Sequence, residues 1–295
     1  MEMRVIMDSI RIKAYAKINL GLDVLGRRED GYHDVRMIMQ TVSLYDMLTI
    51  RKSRVPSIQL KTSRPWLPTD RKNLVYRAAD AFMEHCHISG GVNIYLNKRI
   101  PVAAGLAGGS ADAAATLEGL NKLYRTGLSK QELMKLGVSL GADVPYCILK
   151  GTALSEGIGE ILTSLKPVPD CHVLLVKPPI SVSTKYVYEK LYPDTFVKHP
   201  DIDLMIKAIE EGNLSELASG MDNILQSVTI GEYPVIRELK EKMKDQGALT
   251  ALMSGSGPTV FGIFKDAAPA TEAMHYFKNK HAGYEVFLTK PCQPE

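Results

Sequence analysis

Three short segments of the 295-residue chain combine residue types that can do chemistry. Gly105-Leu106-Ala107-Gly108-Gly109-Ser110 is a run of small residues leading into a helical pattern. Glycines let a backbone approach a ligand closely, and the free N–H groups at a helix N-terminus suit a phosphate. No Gly-Lys-Ser/Thr ends the run, so it is not a Walker A loop. Its GxxGG spacing also departs from a dinucleotide fingerprint. A tight strand–helix turn packed with small residues would read the same way. Ser254-Gly255-Ser256-Gly257-Pro258, between two apolar strands, is either a plain loop or the lining of an anion site. Asp143 follows Gly-Ala and precedes Val-Pro. A carboxylate there can cap a neighbour, or act as a general base if it lies within hydrogen-bond reach of a proton donor.

The elements that must position these segments are legible in outline. Residues 10–24 alternate strictly, with Ile10, Ile12, Ala14, Ala16, Ile18, Leu20, Leu22 and Val24 on one parity. That period of two predicts a half-buried strand with Lys17 and Asn19 side by side on its polar face, a face that is usually solvated. Residues 27–31 read as a turn, with extended structure resuming from Tyr32 to about Ile50. Short strands are expected near 57–62 and 91–99, with a helix near 73–86 between them. Residues 100–124 read as a Gly/Ala loop followed by a helix that buries Ala113, Ala114, Leu117 and Leu120. Ser129 and Glu132 make a capping box for the next helix, Gly141 stands where a terminating glycine would, and 142–145 is a sharp segment. The glycine-rich stretch 150–160 predicts a boundary between domains at 1–155 and 156–295. Beyond it come a strand at 171–176, three or four helices within 183–246, a strand–loop–strand unit at 248–264, a helix near 268–280 and a last strand at 284–290. Strands cluster early instead of alternating with helices, so the fold class is α+β in two domains.

Composition narrows the function. Hydrophobic residues make 45% and charged residues 23% of the chain, which excludes disordered, collagen-like and disulfide-built classes. Thirty-six Lys and Arg against 33 Asp and Glu leave a net charge of +3, too balanced to announce a nucleic-acid or membrane partner. The four cysteines Cys86, Cys147, Cys171 and Cys292 lack metal-binding spacing and are expected to be reduced thiols in a cytoplasmic protein. The N-terminal segment has no apolar core of a signal peptide.

Taken together, Ala16-Lys17-Ile18-Asn19-Leu20, residues 101–110 and residues 252–261 resemble the three signature regions of the GHMP small-molecule kinases, in order and spacing. Asp30-Gly31-Tyr32-His33 and 140–145 are similar to the branch whose acceptor is 4-diphosphocytidyl-2-C-methyl-D-erythritol. The resemblance covers about 10–264 and implies a two-domain fold: an N-terminal domain like ribosomal protein S5 domain 2 and a C-terminal ferredoxin-like domain. It also implies phosphoryl transfer from ATP, with Mg²⁺, to an alcohol.

By that resemblance, Asp143 is the catalytic base and Lys17 the cation that keeps it ionised and neutralises moving charge. Pro101, Val102, Ala103, Ala104, Gly105, Leu106, Ala107, Gly108, Gly109, Ser110 and Ala111 form the loop over the ATP phosphates, with Asn73 and Lys98 near the nucleotide. Asn19 orients the acceptor. Tyr32 and His33 read the cytosine, and Tyr188, close to Thr184, completes the sandwich, with Tyr186 and Tyr192 as alternatives. Gly255, Ser256 and Gly257 face the phosphate-bearing end of the substrate. Many relatives carry two serines after the glycines, whereas here Ala111 follows Ser110. A second hydroxyl's role is therefore absent or falls to Ser110 or Asp112, and no protein ligand to the metal is assigned. A different alcohol acceptor, or a nucleotide-binding protein without catalysis, remains open on the residues alone; a nucleic-acid partner lacks its basic patch.

Overall fold

The computed structural model describes residues 8–191 and 199–294, which form two compact units. The first unit takes residues 8–16, Tyr45–Ile100 and Ala107–Leu149; the second takes Lys17–Leu44, Pro101–Leu106 and the described residues from Lys150 onward. Two long strands, β1 (Ser9–Arg27) and β2 (His33–Ser53), run through both.

In the first unit, β3 (Ile58–Thr62) lies parallel to β4 (Gly91–Asn97), and β4 pairs antiparallel with the Met47–Ser53 half of β2. Between them in sequence, α1 (Leu74–His85) presents Val75, Ala78, Ala79, Phe82 and Met83 to the core at helical spacing. α2 (Gly108–Tyr124) is buried nearly all round, which its run of alanines permits. It packs on α1 and on α4 (Val144–Leu149), while α3 (Lys130–Val138) starts with the capping box expected at Ser129 and Glu132. Phe82 is fully buried, so Phe82→Ala is expected to cost about 3–5 kcal/mol of stability, read as a lowered urea midpoint at unchanged slope.

In the second unit, the Met37–Gln40 part of β2 pairs antiparallel with β5 (Thr152–Glu156), which turns back into β6 (Ile161–Ser164). A separate antiparallel sheet has the order β10-β7-β9-β8, built from β7 (His172–Lys177), β8 (Thr250–Met253), β9 (Val260–Phe264) and β10 (Glu285–Thr289). β8 and β9 are buried along their whole length. α9 (Val235–Asp245) and α10 (Ala267–Lys280) pack on this sheet. The remaining helices are α5 (Thr184–Lys190), α6 (Ile202–Glu210), α7 (Leu214–Gly220) and α8 (Gln226–Glu232).

Several expectations are corrected. From Lys17 to Asp23 the polar face of β1 is covered, while Ser9, Arg11 and Lys13 stay exposed: Lys17 is 4% and Asn19 1% exposed, and Gly21 lies so close to Met205 and Ile202 that a Cβ there would clash. Within the glycine-rich 150–160 stretch, Gly157 and Gly159 supply the turn between β5 and β6, a local feature separate from the expected domain boundary. The segment after Ala142 is the start of α4, with Pro145 in the first turn, where its missing N–H costs nothing. α3 ends on Ser139, and Gly141 keeps an ordinary backbone conformation instead of a left-handed one. Five helices, not three or four, fill 183–246 among the described residues, because seven-residue helices are too short to show a clear period. Tyr192 lies outside the described residues. No helix among the described residues is long and apolar enough to cross a membrane.

Candidate active site

The second unit brings three of the sequence motifs together. On β1, Lys17 Nζ donates to Asn19 Oδ1 at 2.6 Å. Asn19 Nδ2 donates to Met37 Sδ at 3.2 Å, a weak acceptor that an incoming oxygen would outcompete. The backbone N–H of Lys17 donates to Leu106 O at 3.2 Å, so the strand and the 101–106 loop are joined at the lysine itself. The next residue back, Gly105, has φ +73° and comes so close to the 254–257 loop that a Cβ would stand 2.0 Å from Ser254 O. Ser254 Oγ donates to Gly105 O at 2.9 Å. Gly255 faces Asn19, with its would-be Cβ 3.5 Å from Oδ1, and Ser256 Oγ lies 2.8 Å from Thr184 Oγ1.

The run into α2 holds alternate residues in the left-handed region: Ala103 at φ 51°, Gly105 at 73° and Ala107 at 53°. Such conformations cost non-glycine residues about 1 kcal/mol or more and concentrate at functional loops. α2 then starts without a side-chain cap, which leaves its first-turn N–H groups for another acceptor.

Beneath that turn, the first unit holds a buried ion cluster. Lys98 Nζ donates to Asp46 Oδ2 at 2.5 Å and to Asp112 Oδ2 at 2.7 Å. Asp46 Oδ1 also accepts from the N–H groups of Arg99 and Ile100, anchoring the chain just before the loop. Burial opposes the Lys98 ammonium, but the two carboxylates prevail and raise its pKa above the ordinary lysine value. Burial raises Asp112 well above the usual carboxylate range; Asp46 adds to this and Lys98 opposes it. Asp112 Oδ1 is buried with no hydrogen-bond partner. The Lys98 ammonium is thus committed to two carboxylates. Asn73 caps α1, accepting from Val75 N at 2.9 Å and donating to Pro68 O at 2.8 Å. Both residues expected near a nucleotide therefore have structural employment of their own.

Asp143 is half-buried in the first unit, immediately before α4. At the far end of β1, Tyr32 is 60% exposed, and the His33 and Tyr188 rings lie 5.2 Å apart at 43°. Burial, helped by the charge of Arg27, lowers the His33 pKa and favours the neutral ring. Of the alternative aromatics, Tyr186 turns away to donate to Glu232 at 2.9 Å. Asn223, Asp46 and the Asp112–Lys98 link went unread in the sequence, since each looks like an ordinary turn or helix residue until distant segments meet. Among the described residues, no group of three or more His, Cys, Asp or Glu side chains is placed to hold a metal ion.

Two small-residue loops thus meet beside a buried lysine, and known proteins identify the class to which such a chain belongs. The GHMP kinases N terminal domain matches residues 73–151 and the GHMP kinases C terminal domain matches 205–283, so this is a small-molecule kinase of the two-domain GHMP fold. The chain is 57% identical over 284 residues to 4-diphosphocytidyl-2-C-methyl-D-erythritol kinase of Lachnoclostridium phytofermentans, covering 96% of this chain and 98% of that one. The same-named enzyme of Lachnospira eligens is 52% identical, with 98% and 100% covered. A crystal structure of 4-(cytidine 5'-diphospho)-2C-methyl-D-erythritol kinase matches with TM-score 0.81 at 33% identity, over 96% of this chain and all of that one. Homoserine kinase from Cytophaga hutchinsonii shares the fold alone, with TM-score 0.81 at 20% identity over 99% and 97% of the chains. The chain belongs to the 4-diphosphocytidyl-2-C-methyl-D-erythritol kinase family.

Proposed function

We propose that this enzyme transfers the γ-phosphoryl group of ATP to the 2-hydroxyl of 4-diphosphocytidyl-2-C-methyl-D-erythritol, giving the 2-phosphate and ADP, in the non-mevalonate route to isopentenyl diphosphate. The observation that carries the substrate is the 57% identity, over nearly the whole chain, to a relative of that name. The His33–Tyr188 pair supports it, since a neutral imidazole offers one donor and one acceptor to a pyrimidine edge. Tyr32, exposed beside it, is the second stacking surface, and Thr184 supports Ser256 in the loop toward the diphosphate.

In this reading Asp143 takes the proton of the attacking hydroxyl as its oxygen bonds to the γ-phosphorus and the bond to the β-phosphate oxygen breaks. ADP leaves with that electron pair. Lys17 offsets the charge of the transferring group, and Asn19 turns from Met37 to hold the acceptor. The amides of 105–110 cradle the phosphates at the α2 N-terminus, with the rest of 101–111 shaping the loop. Mg²⁺ would shield the triphosphate charge; the orphaned Asp112 Oδ1 and the Ser110 hydroxyl are oxygen donors that suit it, with phosphate and water completing the set. Lys98 and Asn73 serve the nucleotide indirectly, by anchoring the loop and α1.

The matched segments 73–151 and 205–283 support assigning 1–155 and 156–295 to the two domains of descent. Free cysteines support a reducing, cytoplasmic setting, and burial first among the causes pushes the Cys171 thiol up to about 12.

The test is ADP release with ATP and Mg²⁺ and the cytidyl substrate, beside mevalonate, homoserine and galactose. Turnover is expected with the cytidyl substrate alone, and CMP should compete. Tyr188→Leu should raise the acceptor KM by about tenfold and spare the ATP KM, as loss of one base-stacking surface implies. Preferred turnover of another alcohol would overturn the substrate; an unaltered acceptor KM in the variant would overturn the base reader.

A further inference from the structure

We infer that Asn223 is a positioning residue that fixes the Ser254–Gly257 loop to the strand carrying Lys17 and Asn19. Asn223 sits between α7 and α8, and it is 1% exposed. Its side chain is spent on the loop and on the helix that follows. Nδ2 donates to Met253 O and to Gly255 O, both at 2.8 Å, and Oδ1 accepts from Leu225 N at 3.0 Å. The residues on either side of it bond to β1: Leu22 N donates to Asp222 O and Ile224 N donates to Leu22 O, both at 3.0 Å, so Asn223 is held opposite Leu22.

These bonds close a circuit. From Leu22 the chain runs along β1 to Lys17, whose N–H meets Leu106 O. Gly105 O accepts from Ser254 Oγ, and the loop returns through Met253 and Gly255 to Asn223. The Asn223 side chain holds the loop end of this circuit, and the backbones of Asp222 and Ile224 on either side of it hold the strand end. Its chemistry also sets the loop's polarity. A loop that receives an anion must keep its carbonyl oxygens turned away and its N–H groups forward. Asn223 holds two carbonyls, 253 and 255, turned toward itself. An aspartate there would keep size and shape, and its Oδ1 could still accept from Leu225 N. Its other oxygen would meet two carbonyl oxygens and drive at least one outward.

The anion in question is the diphosphate of the acceptor, so this inference rests on the proposed function. The test compares Asn223→Asp and Asn223→Ser with the unaltered full chain, varying acceptor and ATP separately, with hydrogen exchange read over 253–257. Asn223→Asp is expected to lower kcat/KM for the acceptor by about 100-fold, the scale of a loop displaced by an ångström, with the ATP KM held within about twofold. Asn223→Ser keeps one donor and should lose about tenfold. A fall in kcat with both KM values unchanged, matched by a smaller folded fraction, would mark Asn223 as merely structural and overturn the inference. If the unaltered enzyme ignores the cytidyl substrate, the functional reading fails by itself and hydrogen exchange decides this one. Faster exchange confined to 253–257 in Asn223→Asp would sustain it; unchanged exchange there would overturn it.

Discussion

Asp143→Asn should lower kcat by about 10²–10⁴-fold, the usual contribution of a positioned base, while both KM values and the urea midpoint stay near those of the unaltered enzyme. The residue lies in a turn just ahead of α4, where its carbonyl accepts from Cys147 N at 3.0 Å, a backbone bond that asparagine preserves. Asparagine also keeps the size of the side chain and one oxygen acceptor, so the fold is expected to hold. What it cannot do is accept a proton at neutral pH. Initial rates with saturating ATP and acceptor, alongside urea unfolding, give the answer. If kcat holds within about threefold, the hydroxyl reaches phosphorus without Asp143, and positioning by the loops carries the catalysis.

Gly105→Ala should be the most damaging single methyl group in the second unit. The new Cβ would stand 2.0 Å from Ser254 O and 3.1 Å from Gly257 O, both backbone atoms, so no rotamer change relieves it. The backbone at φ +73° adds a penalty of about 1 kcal/mol for an L-residue. One loop must move off the other, breaking the Ser254 Oγ–Gly105 O bond and loosening the Leu106 carbonyl that meets Lys17 N. The expected loss is several kcal/mol of stability, at the upper end for single substitutions, together with about 100-fold or more in kcat/KM for both substrates. Urea unfolding and initial rates read the two effects separately. Gly31→Ala is the control: it too has a positive φ, of +85°, but open space around it, so it should cost only the backbone penalty. Equal effects at the two positions would mean that the close approach at Gly105 is immaterial.

The sequence made local order legible and left distant order dark. The alternation of 10–24, the capping box at Ser129 and the small-residue loops at 105–110 and 254–257 are each written within a few residues of themselves. Alternation along β1 says which residues share a side, not what lies over Lys17, Asn19 and Gly21 on that side. Here Met205, Met37 and Gly255 do, from elsewhere in the chain. The hairpin of β5 and β6 hid behind its glycines, and α4 behind its proline. Asn73 and Lys98, expected near the nucleotide by resemblance alone, make a helix cap and an ion cluster whose partners no local pattern announces. Asn223 had no signal at all: an Asp-Asn pair between helices reads as a cap, and its partners at 253 and 255 are thirty residues on.

The bridge between Leu22 and Asn223 spans about 200 residues of sequence, one of the least local pairings a chain of this length can make. Lys17 and Asn19 precede the 254–257 loop by more than two hundred residues, so they are synthesised well before it. At roughly 5–20 residues per second, a nascent chain would carry this strand for about ten seconds or more before the 254–257 loop exists to meet Asn19 and Gly105. A chain that stops short of that loop lacks the hydroxyl that meets the Gly105 carbonyl and the glycine that faces Asn19, so the two ends of the circuit cannot close until both have been made.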